Sequence, residues 1–299
     1  MWCIIPICIS IFKIIKDRRA LRWWGVLASS MVIVQAVIGG LRVVKGNDQI
    51  GIFHGVLAQG FLVVLASLAL FHSRWWKQAR DVASAKGLVP RVVRSHFFFA
   101  TLLIFLQLIL GATMRHQHTG LPVWDFPKAH GQWWPATDKD SLAKYNLERN
   151  QRHAELYQSN KTLDAKGYPV IFLVTPKGAL KKIQASEIHL QMFHRAMAVL
   201  ILGLVLGTAI LAHRKLGARH FLSRTSLLWL GLIIIQATLG ALTVLKYKPA
   251  DIATLHVLFG ALSLGTGVLG TVISRTKENP SLVSETESSE AAMTKAESV

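Results

Sequence analysis

Three histidines carry the chemistry that this sequence makes available. His54, His194 and His256 each lie near one end of a long apolar stretch, where ionisable residues are costly and usually face a bundle interior or a functional site. An imidazole so placed either hydrogen-bonds a polar group on a neighbouring helix or ligates a metal. Each is paired with the same short frame. Gln35 and Gly39 precede His54, which stands nineteen residues after the Gln; Gln236 and Gly240 precede His256, twenty residues after the Gln; Gln107 and Gly111 precede a long loop and then His194. Imidazoles from facing helices hold haem iron from both sides, and no carboxylate cluster accompanies these three to suit a di-iron site. His54, His194 and His256 are therefore the candidate iron ligands. Ala196 and Ala198 after His194, and Gly260 and Ala261 after His256, leave room for a flat macrocycle or for close helix packing. Arg195 is placed either to meet a haem propionate or to snorkel to the membrane surface. His189 is offset by five residues from His194 and turns off its face. His116, His118, His130 and His153 fall in a loop, with solvated or structural roles expected and a His-rich approach to a metal as the alternative.

The elements that must position these residues are apolar helices. Of 299 residues, 52% are hydrophobic and 17% charged, below the roughly 25% charge of soluble domains. Six stretches are long enough to cross a bilayer core: Trp24 to Val44, Ile50 to Phe71, Phe97 to Met114, Ile188 to Ala212, Leu227 to Leu245 and Ile252 to Ile273. Too little polar chain remains to bury six such helices in a soluble fold, so the expected class is an all-α polytopic membrane protein. The net charge of +18 would suggest nucleic acid in a soluble chain; here the lipid bilayer is the expected partner. Cys3 and Cys8 lie at the N-terminus, which leaves no disulfide framework and no CxxC motif.

Basic residues orient the bundle, because short cytoplasmic connections carry the excess. Five precede the first stretch, six lie between the second and third, and four between the fourth and fifth; the two other short connections carry two each. Both termini are thus expected in the cytoplasm, and the segment 115–187, with eleven basic residues, on the outer side. Its turn-rich part from Gly120 to Pro135, a weak helical period over Asp138 to Gln158 and a strand-like run from Tyr168 to Val174 predict a small extracytoplasmic cap. The expected organisation is a cytoplasmic segment 1–23, an incomplete first half 24–95, a second half 96–275 that includes the cap, and a disordered cytoplasmic tail 276–299 rich in Ser and Glu. Gln35–Lys45 and Gln236–Lys246 share Gln, Ala, Gly, Leu, Val and Lys in register, the mark of a duplicated helical unit.

The string Gly111-Ala-Thr-Met-Arg115-His116 through Thr119-Gly120-Leu121, then Asp125-Phe126-Pro127, Gly131, Pro135 and finally His194-Arg195, resembles the second half of the haem A synthase family. The resemblance covers most of residues 20 to 275. It implies two four-helix halves, each holding a haem between paired histidines, and oxidation of a haem O methyl to the formyl of haem A for cytochrome oxidase. It further implies haem b between His194 and His256, haem O as substrate near His54, and as partners a membrane enzyme supplying haem O and the oxidase assembly machinery, in the plasma membrane; self-association stays open. Three departures stand out. The family's opening two helices, with a Glu-x-x-His-Arg motif, have no counterpart, and Met1 to Lys16 resembles the end of the second, through a shifted start or a real shortening. Val123 and Ala129 stand where the family often carries a cysteine pair. Gln191, three residues before His194, is an amide and no general base. The expected function is a haem-binding oxidoreductase of haem A biosynthesis; the alternative is a non-catalytic b-type cytochrome or haem-binding assembly factor. A transporter is disfavoured because prolines avoid the spans.

Overall fold

The computed structural model describes residues 19–73, 76, 89–116, 121–158 and 182–275, and over these it is helical. In chain order the helices are α1 (Arg19–Lys45), α2 (Asp48–His72), α3 (Arg91–His116), α4 (Lys139–Gln158), α5 (Ala185–Leu216), α6 (Phe221–Leu245) and α7 (Ala250–Ser274). All but α4 are long and apolar enough to cross a membrane, and the chain is a multi-pass membrane protein. The strand expected over Tyr168 to Val174 and the tail 276–299 lie outside the described residues.

Each helix overruns its apolar stretch because capping rather than hydropathy sets its ends. Asn47 accepts the Gln49 amide at 2.8 Å to start α2, and His220 accepts the Leu222 amide at 3.1 Å to start α6. Pro249, with φ fixed and no N–H to satisfy, precedes α7. Gly217, at φ +83°, lets the chain leave α5 in a conformation costly for other residues.

α3, α5, α6 and α7 pack in sequence around a closed ring, α7 returning to α3. α2 lies against α3 and α7, and α1 packs chiefly on α2. The ring is solid at one end only. Phe97 and Trp229 stack with centroids 5.5 Å apart, within a core that includes Ile104, Ile201, Val205 and Leu264. Gly267 and Gly270 on α7 take the faces of these rings, where a side chain would collide, and the Trp229 indole N–H donates to the Ser263 carbonyl at 2.9 Å.

Toward the other end full burial stops. No residue of α3 after Ile104, of α6 after Ile233, of α7 before Gly260, or of α5 between Met192 and Ile201 is fully buried. Over this open end sits the cap. Val123, Ala129, Tyr145 and Ile183 pack with Ile188 and Met192 of α5 in a second core. Lipid accounts for the apolar side chains left outside, such as Val43 and Val199.

Candidate functional site

The three helical pairs α1–α2, α3–α5 and α6–α7 repeat one arrangement at the capped end. In each, the glycine of the Gln-x-x-x-Gly frame removes the Cβ that would press on the facing imidazole. A Cβ on Gly39 would stand 3.0 Å from His54 Cε1, on Gly240 3.0 Å from His256 Cε1, and on Gly111 3.4 Å from His194 Cε1. The glutamine one turn earlier grips the same partner. Gln35 Nε2 donates to the His54 carbonyl at 3.1 Å, and Gln107 Nε2 to the His194 carbonyl at 2.9 Å. Gln236 Nε2 lies 3.5 Å from His256 Nε2. The sequence shows these glutamines as markers of a repeat; the structure gives them the task of setting each histidine's height and rotation.

The rings differ in how they are held. His256 Nδ1 lies 3.0 Å from the Gln236 carbonyl oxygen, which can only accept, so Nδ1 carries the proton and the unprotonated Nε2 faces the Gln236 amide nitrogen. His194 Nδ1 and His54 Nδ1 are buried with no hydrogen-bond partner among the described residues. His194 on α5 and His256 on α7 both lie at the level where full burial stops. His54 sits apart from them in the α1–α2 pair. Among the described residues no three His, Cys, Asp or Glu gather as a metal cage.

The other candidates have different surroundings. Arg195 donates to the Asp125 carbonyl at 2.8 Å and to the Lys128 carbonyl at 3.0 Å, with its guanidinium 5.7 Å from the Phe126 ring centroid. It clips the cap loop onto α5. Gln191 does the same one turn earlier: Val123 N–H donates to its Oε1 at 3.1 Å and its Nε2 donates to the Val123 carbonyl at 2.9 Å. Val123 and Ala129 are wholly buried apolar residues of the cap core. His189 approaches Thr137 Oγ1 at 3.4 Å, away from the ring interior. His130 stacks on Tyr145 at 3.7 Å, with Nε2 on the Pro122 carbonyl at 2.9 Å, and is structural. Burial holds its pKa below the ordinary 6.5, against the opposing pull of Asp125.

His116 corrects the sequence reading. Rather than belonging to a loop, it closes α3, and its imidazole lies against α2, Nδ1 2.6 Å from where a Cβ of Gly51 would stand and Nε2 3.8 Å from that of Gly55. The two glycines, one turn apart and beside His54, were the available signal. His118 lies outside the described residues, as does the His153 side chain.

Comparison with known proteins bears on the family. The pattern that defines a family of cytochrome oxidase assembly proteins matches residues 1–268. A haem A synthase of Shouchella clausii is 26% identical over 151 residues, 49% of this chain and 48% of the relative. A haem A synthase of Bacillus cereus is 22% identical over 263 residues, 85% of this chain and 66% of the relative. The chain thus spans from about half to just under two thirds of the length of these curated relatives.

Proposed function

The chain belongs to the cytochrome oxidase assembly protein family, and on that premise we propose that it is a haem-binding membrane oxidoreductase of haem A biosynthesis, converting haem O to haem A. The observation that carries the reading is the open, capped end of the four-helix ring. There two histidines come from different helices of the ring at matching depth, one with its Nδ1 proton committed to a carbonyl. That donor set fits haem. His194 and His256 would hold haem b through imidazole nitrogen, and Gly111 and Gly240 keep side chains off the two rings. The haem would supply electron transfer.

The chain's own residues do the positioning. Gln107 and Gln236 fix the histidines, while Gln191 and Arg195 hold the cap over the open end and limit water access. His54 would receive the haem O substrate. Arg42 and Lys45 on one connection, and Lys246 and Lys248 on the other, are outnumbered by basic residues at the opposite end. Both termini are accordingly placed in the cytoplasm and the cap outside a plasma membrane. A reporter fused within residues 138–158 should score as external.

The deciding experiment is pigment analysis after expression with haem O. A formyl-bearing product supports the enzyme; unchanged haem O, with haem b still bound at His194 and His256, supports the non-catalytic cytochrome or assembly factor instead.

A further inference from the structure

The cap meets α5 on a second face, nearly opposite the one that carries Gln191 and Arg195. There Trp134 packs edge to face on Phe193, with centroids 5.7 Å apart, and Thr137 Oγ1 approaches His189 at 3.4 Å. His189 and Phe193 are one turn apart on the same side of the helix. The stretch from Trp133 to Thr137 therefore runs along α5, with its tryptophans at the end nearer the middle of the helix.

Helix length fixes the level of this contact. α5 has 32 residues, about 48 Å at 1.5 Å per residue, whereas the hydrocarbon core takes about 30 Å, or roughly 20 residues. His213, Arg214 and Lys215 in the last turn mark one boundary of that core, because charged groups inside it are costly. Counting roughly 20 residues back from Ala212 brings the other boundary to Phe193. Trp134 thus stands where hydrocarbon gives way to headgroups.

Exposure leads to the same place. Trp133 is 73% exposed, Trp134 47% and Phe193 58%. The loop that carries the tryptophans is tied in place: Asp125 accepts the His130 and Gly131 amides at 2.7 and 2.9 Å, and Ala129 and Gln132 exchange backbone hydrogen bonds. Rings presented by such a loop form an apolar patch that calls for a cover. The patch continues down α5 as a stripe, since Phe193, Ala196, Leu200 and Gly203 share one face and are all exposed. Lipid covers that stripe within the span. An indole, apolar in body with one N–H, suits the layer just above it.

We propose that Trp133, Trp134 and Phe193 form an aromatic lip by which the cap rests in the headgroup layer of the bilayer that α5 crosses, so that lipid is the cap's partner on this side. The lip and the Gln191–Arg195 clip grip α5 from nearly opposite faces. Because His194 follows Phe193 in the chain, the lip holds the cap at the depth of that histidine. The inference stands on the membrane span alone and is independent of haem binding.

The test places a nitroxide at Trp133→Cys in the full chain carrying Cys3→Ser and Cys8→Ser, in phosphatidylcholine nanodiscs. It reads collision with oxygen, which concentrates in lipid, and with a nickel chelate, which stays in water. A label at Val199→Cys, on the lipid-facing part of α5, gives the lipid reference, and one at Lys144→Cys, exposed on α4, the water reference. The label at 133 should favour oxygen over nickel relative to 144 and fall short of 199. A value equal to that at 144 overturns the proposal. Exclusion of both reagents, as when a second copy or another protein covers the rings, overturns it as well. Should the labelled chain fail to fold, tryptophan emission decides with the indole replaced by another ring: the component lost on Trp133→Phe should be quenched more by a nitroxide carried on the lipid headgroup than by iodide. Stronger quenching by iodide, or quenching by neither, overturns the lip.

Discussion

The α1–α2 and α6–α7 pairs carry the same Gln-x-x-x-Gly and His, yet they hold the imidazole differently. In α6–α7, the ring of His256 is tethered through Nδ1 to a backbone carbonyl, with Nε2 3.5 Å from the Gln236 amide nitrogen. In α1–α2, Gln35 Nε2 donates to the His54 carbonyl and lies 3.4 Å from His54 Nε2, while Nδ1 is buried without a partner among the described residues. One sequence repeat thus produces a ring held through Nδ1 in one place and a ring whose Nδ1 is not held in the other. A resident group gains from a ligand oriented beforehand, because no ordering cost falls on binding. A substrate that must arrive and leave gains from a ring that can adjust.

The strongest challenge to this contrast is His256→Ala. It should abolish the paired-imidazole absorption spectrum and reduce tightly bound haem b to near zero; a spectrum of parental intensity would remove the fixed pair from the account. His54→Ala should leave that spectrum intact and lose only the second equivalent, measured as haem per chain. Loss of all haem in this variant would merge the two sites into one.

A finer comparison uses the glycines. An Ala methyl at Gly240 or Gly39 meets its histidine ring at the same 3.0 Å, but the His256 ring is tethered and cannot turn away without breaking its Nδ1 bond. Gly240→Ala should therefore weaken haem b by roughly tenfold, about 1.4 kcal/mol, with a shifted reduction potential. Gly39→Ala should change the affinity at His54 by less than about threefold, below 1 kcal/mol. Equal effects would mean that the tether does not stiffen the ring.

The smallest effect expected is on the cap, which is anchored to α5. Burial keeps His130 below its ordinary pKa, so the unfolded cap binds the additional proton more readily than the folded one. Stability is therefore complete above about pH 6.5 and declines as pH falls below it. Limited proteolysis of residues 121–158 should accelerate between pH 7 and 5.5, values that bracket this range. His130→Asn, chosen because Asn tolerates the φ of 49° found at this position, should flatten that dependence. A slope unchanged in the variant would assign it to another group.

The six spans were legible because length and apolarity suffice to define them, and the repeat was legible because Gln, Gly and His recur at matched spacing. The function of the glutamines was not, since an amide that supports a neighbouring backbone leaves no mark beyond its position. Arg195 could be read toward a propionate or toward the membrane surface, and the structure shows a third answer. Its partners, Asp125 and Lys128, lie 70 and 67 residues upstream, and no local period encodes a contact of that separation. Gln191, set aside as an amide unable to act as a base, proves to be the residue that reads the backbone of Val123. His116 was missed because polar residues after an apolar stretch look like loop, whereas α3 continues to its last turn against two glycines. The limits of the helices were displaced for a related reason: Asn47, His220 and Pro249 set them from outside the apolar runs.

The clip made by Gln191 and Arg195 also sets an order of assembly. The loop from Leu121 to Pro135 leaves the ribosome well before the residues that fasten it, and at about 5–20 residues per second the 68 residues from Val123 to Gln191 take roughly 3 to 14 s to make. During that interval the Val123, Asp125 and Lys128 carbonyls have no helix to receive them, and Val123 and Ala129 have only part of their core. Closure of the cap thus waits on insertion of α5. A chain stalled before α5 would present an open loop to proteases and chaperones, and quality control could use that loop to distinguish a half-made bundle from a finished one.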